Sequence, residues 1–129
     1  MLTQSANQTT FDFLEAFAEA WNQHDVEAIL AMMTLDCIFE ASRGPEVKGK
    51  VYRGQDEVRG GVEEVFATLP DARWNQPRHF VTGDRGVSEW VFTGTGPDGV
   101  RVEVQGCDLF TLWGDKIAVK KSYRKQRTG

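Results

Sequence analysis

The stretch Val100-Arg-Val-Glu-Val-Gln-Gly-Cys-Asp-Leu-Phe-Thr-Leu-Trp113 decides how this chain is read. Successive side chains of a strand point to opposite faces. One face then carries Val100, Val102, Val104, Gly106, Asp108, Phe110 and Leu112, and the other Arg101, Glu103, Gln105, Cys107, Leu109, Thr111 and Trp113. The first face is apolar except for Asp108. A carboxylate on a buried face is costly unless it has a partner, a proton or a cavity. The segment is therefore a long half-buried strand, and Asp108 marks a candidate site on it.

Further strands surround this one. Ala72 to Thr82 reads as a strand, and Pro77 inside it implies an edge or a bulge, because proline cannot donate to the ladder. Gly83-Asp84-Arg85-Gly86 is a turn, Val87 to Thr95 a strand, and Gly96-Pro97-Asp98-Gly99 a second turn. Gly114-Asp115 makes a tight hairpin turn into a last strand, Lys116 to Arg124.

The first half reads as mainly helical. Thr9 or Thr10 is the expected cap of a helix with Phe13, Leu14, Phe17, Ala18 and Trp21 at helical spacing. Trp21-Asn-Gln-His-Asp25 breaks it, and Asp25 caps a short second helix with Val26, Ile29, Leu30 and Met33 inward. Cys37 to Ser42 reads as a strand, and Arg43 to Gly54 as a loop with a short strand around Val51. A third helix, about Asp56 to Leu69, places Val58, Val62, Val65, Phe66 and Leu69 on one side; Gly60-Gly61 weakens it by roughly 1 kcal/mol per glycine. Helices first and an antiparallel meander afterwards predict an α+β fold with the sheet curled around the helices.

The 129 residues fit one domain, with a core of about residues 8–125. A formal charge of −4 argues against a general nucleic-acid footprint. No stretch approaches the roughly 20 apolar residues of a membrane span, and Met1 to Thr10 lacks the layout of a signal peptide. A soluble cytoplasmic protein is the expectation. Cys37 and Cys107 lack metal-ligand spacing and read as reduced core residues. With only His24 and His79 to supply imidazole, no metal and no cofactor are expected.

The order of elements, with Ala20-Trp21-Asn22 through Asp25, Tyr52-Arg-Gly54, Trp90-Val-Phe-Thr-Gly-Thr-Gly-Pro-Asp-Gly99, Asp108-Leu-Phe and Gly114-Asp-Lys-Ile117, resembles the SnoaL-like group of the nuclear transport factor 2-like (ketosteroid isomerase-like) superfamily. The resemblance covers almost the whole chain. It implies a conical α+β fold, a pocket between curved sheet and helices, and a homodimer through the outer sheet face. The superfamily holds isomerases, polyketide cyclases, dehydratases, epoxide hydrolases and non-catalytic domains, so fold alone does not give activity.

By this resemblance Asp108 falls where ketosteroid isomerases carry an oxyanion-hole aspartate, and it is similar to the acid/base aspartate of SnoaL-like cyclases. The other isomerase positions differ: the helix-1 tyrosine matches Phe17, and the general base matches Ala41. Glu40 is adjacent, but a one-residue offset in a strand turns it to the other face unless a bulge brings it back toward the pocket as a base. True ketosteroid isomerase activity is thus not expected. On the last strand Ala118, Lys120, Ser122 and Arg124 share one face, and Ile117, Val119, Lys121 and Tyr123 the other; either set can face inward. If the first set does, Lys120 or Arg124 can pair with Asp108 or bind an anionic substrate.

The candidate catalytic residues are Asp108, His79 and Lys120. His79 is a possible acid/base on the first long strand, while His24 reads as a cap or surface contact. Candidate substrate-binding residues are Phe17, Trp21, Phe39, Tyr52, Trp74, Trp90, Phe92, Phe110 and Arg124; such aromatics line a cavity or fill a core equally well. Two functions follow. One is a cofactor-independent acid/base enzyme (cyclase, isomerase or lyase) acting on a hydrophobic carbonyl-containing molecule. The other is a non-catalytic ligand-binding or dimerisation domain.

Overall fold

The computed structural model describes residues 2–128, with side chains from residue 10 onward. In chain order the elements are α1 (Leu2–Asn22), α2 (Val26–Ala31), β1 (Met33–Glu40), β2 (Val51–Arg53), α3 (Gly54–Thr68), β3 (Arg73–Thr82), β4 (Arg85–Thr95), β5 (Arg101–Trp113) and β6 (Lys116–Arg124). The six strands form one sheet in the order β2-β1-β6-β5-β4-β3. Every neighbouring pair is antiparallel except β1 and β6. Helices on one face of a mostly antiparallel curved sheet give the expected α+β cone.

Helix α1 buries Leu14, Phe17, Ala20 and Trp21, a stripe with helical spacing. It begins at Leu2, which corrects the expected cap at Thr9 or Thr10. No proline or glycine precedes Thr10, so nothing there stops the helix from extending. Its other end is tied to the sheet: Asn22 donates to Trp74 O at 3.0 Å, and Trp74 N donates to Asn22 Oδ1 at 2.8 Å. His24, at φ 55°, turns the chain, contacts Ala72 O at 2.8 Å and stacks on Phe66. The Asp25 side chain then caps α2 by accepting from Ala28 N at 3.1 Å.

Strand β1 starts at Met33 and ends at Glu40, where the alternation suggested Cys37 to Ser42. Parallel pairing of Met33 with Ile117 extends it backward, and local pattern cannot reveal that pairing. Pro77 has both expected consequences. Strand β3 is at the sheet edge, and its ladder slips between Asn75 and Arg78, with Gln76 at φ 54°.

Strand β6 also carries a bulge. Its pairing with β5 shifts between Thr111↔Val119 and Leu112↔Ile117, leaving Ala118 as the extra residue. Ile117 before the bulge and Lys120 after it are therefore both buried. Each of the two alternative faces read from the sequence supplies part of the inner surface.

The two glycines of α3 differ in surroundings. A Cβ at Gly60 meets open space, whereas one at Gly61 stands 2.8 Å from the Tyr52 ring. Gly60→Ala is expected to stabilise the fold by about 0.5–1 kcal/mol through helix propensity. Gly61→Ala should lose that gain and fall below the parent, because Tyr52 must move. Urea denaturation of both variants tests this; equal midpoints would show that Tyr52 yields freely.

Candidate functional site

Asp108 sits on the inner face of β5, as the alternation requires, and is 6% exposed. Register places Ser88 of β4 on one side and Ser122 of β6 on the other. Three donors reach its carboxylate. Lys120 Nζ and Ser122 Oγ donate to Oδ1 at 3.0 and 2.7 Å, and Trp90 Nε1 donates to Oδ2 at 3.0 Å. Lys120 Nζ also lies 2.7 Å from Ser122 Oγ.

The Lys120 ammonium, 3% exposed, stands 4.3 Å from the Trp21 ring centroid and 4.7 Å from that of Phe39. Burial pushes its amine below the usual lysine range. The charge and hydrogen bond of Asp108 act the other way, and the Arg124 cation adds to the lowering. Each buried charge is the other's principal counterion, which is what makes burial of either tolerable. Pairing with Asp108 is thus one of the two uses the sequence left open for Lys120.

Lys120, Trp21, Trp74 and Trp90 line two adjoining spaces. One is a gap of about 20 Å³, room for about one water molecule, walled by Asp108, Ser88, Phe17 and Phe110 among others. The other is a chamber of about 280 Å³ between the sheet and α3. The rings of Trp21, Phe39, Tyr52, Trp74, Trp90 and Phe92 line the chamber. Its cations are Arg43, Lys50, Lys120 and Arg124, and the carboxylate among its lining residues is Glu64. Asp108 does not line it.

The chamber thus gathers eight of the residues singled out from the sequence: six aromatics, Lys120 and Arg124. Phe17 and Phe110 lie instead at the small gap with Asp108. His79 is buried beside Ser88, a residue of the small gap, with Nδ1 2.7 Å from Ser88 Oγ and Nε2 3.0 Å from Glu15 Oε1, and is not on the chamber wall. Ala41 is on the wall, and Glu40 is not, as the one-residue offset required.

Arg124 rests its guanidinium 4.3 Å from the Phe92 ring centroid and donates from Nε to Ser42 Oγ at 3.0 Å. Burial, and next the charge of Arg43, push it below the usual arginine range, with Asp108 opposing. Trp21 is 4% exposed, and its indole N–H has no hydrogen-bond partner among the described residues.

Sequence reasoning missed Arg43, Lys50 and Glu64. The first two reach the wall because Ala41 N donates to Lys50 O and Lys50 N to Arg43 O, folding the 41–50 loop back on itself. Nothing in a glycine-punctuated loop signals that closure. Ser122 did have a signal: it shares a face with Lys120 and lies directly across from Asp108.

Among the described residues no group of three or more His, Cys, Asp or Glu could hold a metal ion, and no helix is long and apolar enough to cross a membrane. The cysteines are free thiols.

A curved sheet closed by helices over an aromatic chamber defines the class: a nuclear transport factor 2-like α+β cone. The SnoaL-like domain matches residues 14–120, and the chain belongs to that family. No curated protein matches it. Among solved structures it is similar to a candidate polyketide cyclase from Xanthomonas campestris pv. campestris, at 18% identity over 92% of each chain with TM-score 0.81. It is also similar to one from Pseudomonas putida KT2440, at 18% identity over 90% of this chain and 91% of the other, TM-score 0.80. A third similar structure is TerC co-crystallised with polyporic acid, at 20% identity over 91% and 92%, TM-score 0.76. At these identities the likeness establishes the fold.

Removing one member of a buried ion pair strands the other, so Asp108→Ala is expected to cost about 3–5 kcal/mol. In a double-mutant cycle with Lys120→Met, the two changes should couple by about 1–3 kcal/mol in urea denaturation. Additive losses would show that the two side chains do not support each other.

Proposed function

We propose that this protein binds a small, flat, hydrophobic carbonyl compound in the chamber, the carbonyl oxygen received by the Trp21 indole N–H and the Lys120 ammonium. The observation that carries the reading is that Trp21, whose buried indole N–H has no partner among the described residues, lines the chamber together with Lys120. A buried donor without a partner costs about 1–3 kcal/mol, and a ligand oxygen would relieve that cost. Six aromatic residues around about 280 Å³ suit a planar molecule.

In the catalytic form of this reading, the same two donors stabilise the enolate oxygen that develops as a proton leaves the carbon beside the carbonyl. The reaction is then a cofactor-independent isomerisation, cyclisation or elimination. Glu64 is the carboxylate on the wall available to take that proton. Asp108, bound by three protein donors, is a positioning residue: it holds the Lys120 ammonium in place and does not touch the ligand. The saturation of Asp108 equally favours a second reading, a binding domain without turnover.

The same proposal includes a homodimer through the outer sheet face. There Phe80, Val87, Leu109 and Lys121 form one row across β3, β4, β5 and β6, flanked by exposed Trp113 and Tyr123. Sedimentation should give a dimer, and Leu109→Arg a monomer; a monomeric parent protein would overturn this part.

The binding claim is tested with 2-acetylnaphthalene, since Trp21, Trp74 and Trp90 on the wall make fluorescence quenching the readout. Saturable quenching is expected. Trp21→Phe and Lys120→Met should each weaken it by about tenfold, the equivalent of about 1.4 kcal/mol. Absence of quenching would sink the reading. Enzyme-dependent exchange of the probe's methyl protons with deuterium, lost in Lys120→Met, distinguishes turnover from binding alone.

A further inference from the structure

We infer that the natural ligand of this chamber is an anion, carrying a carboxylate or an acidic phenolate that sits between Arg43 and Arg124 at the chamber's mouth. The inference rests on the chamber being the ligand site and adds the chemical class of the ligand.

Arg124 is partly buried, and its partners are a hydroxyl and a ring face: Ser42 Oγ on Nε and Phe92 beneath the guanidinium. Its two Nη groups have no hydrogen-bond partner, and no carboxylate lies within ion-pair distance of it, among the described residues. Arg43 is close enough to act on Arg124 as a like charge. Arg43 is exposed and Arg124 partly buried, and both line the chamber's mouth; a like charge nearby with no counterion is unfavourable for the partly buried Arg124.

The neighbouring acids do not neutralise them. Asp108 is engaged by Lys120, Ser122 and Trp90. Asp98 accepts from Val100 N in its turn. Glu64 lines the chamber but forms no ion pair with either arginine. This cluster forms in a chain whose formal charge is −4, so it does not reflect a generally basic surface.

Position adds to the argument. The chamber opens into a wider vestibule of about 710 Å³, and the two share Ser42, Arg43, Gly44, Thr68, Leu69 and Arg124. Lys125 joins the arginines on the vestibule side. The arginines therefore stand where the two spaces meet. The free Nη edge of Arg124 offers the fork that a carboxylate binds with two hydrogen bonds. Arg124 lies four residues along β6 from Lys120, roughly 13 Å between Cα atoms. That spacing suits a ring system with the anion at one end and the carbonyl at the other.

The experiment compares two probes of nearly the same shape, 2-naphthoate and neutral 2-acetylnaphthalene, by tryptophan quenching. The intact protein is expected to prefer naphthoate by at least about tenfold, and added salt should erode that preference. Arg124→Gln should bring the affinity ratio close to one, Arg43→Gln should reduce it, and Arg124→Lys should keep part of it. Thermal midpoints within a few degrees of the parent establish that the variants are folded. A ratio near one in the intact protein, or one that Arg124→Gln leaves unchanged, overturns the inference while ketone binding still stands. Failure of both probes to bind overturns the chamber reading itself.

Discussion

The buried pair of Lys120 and Asp108 is the constraint on which the inner surface of this sheet depends. Neither charge is tolerable there alone. Their 3.0 Å contact requires β5 and β6 to hold a register in which Asp108 faces Ser122 and Phe110 faces Lys120. The third donor imposes a further condition on β4. Trp90 reaches Asp108 Oδ2 because its ring lies across Gly106, where a Cβ would stand 2.4 Å from the indole. A glycine in mid-strand ordinarily weakens a sheet. Here its missing side chain is the space through which one strand's tryptophan reaches the next strand's aspartate.

The bulge at Ala118 resolves a competition for the same strand. Ile117 is fully buried, and Lys120 must face the chamber. Three residues apart, they cannot share a face of a regular strand. One extra residue lets β6 contribute first to the core and then to the site. The ladder interruption falls near the hairpin end, where fewer pairings depend on it.

Much of this was legible beforehand because it is periodic. The alternation of β5 placed Asp108 inward, the Asp25 cap located α2, and Pro77 announced an irregular edge. What was not legible depends on distant pairing or on loop closure. The early start of β1 follows from Ile117, more than eighty residues later. The assembly of Arg43 and Lys50 on the wall follows from backbone bonds within a loop whose composition says only that it turns. The sequence could also mark Asp108 as anomalous without showing that the chamber wall carries Lys120 and not Asp108, since that is a matter of which side chain reaches farther into the fold.

The departures from the isomerase pattern acquire a physical sense in this arrangement. The residue at the tyrosine position, Phe17, lines the small gap together with Asp108 and is not on the chamber wall. One helical turn later Trp21 lines both spaces and carries an unpartnered N–H. On the proposed reading, donation to the ligand has moved from helix position 17 to 21, and from aspartate to the lysine that aspartate holds. Exchanging a neutral or acidic donor for an ammonium changes which oxygen is bound best. A positive charge beside the ligand rewards an oxygen that gains negative charge, and the unneutralised arginines at the mouth reward a ligand that is negative already. On that proposed reading, the same aspartate position persists in the fold while its role passes from touching the ligand to holding the group that does.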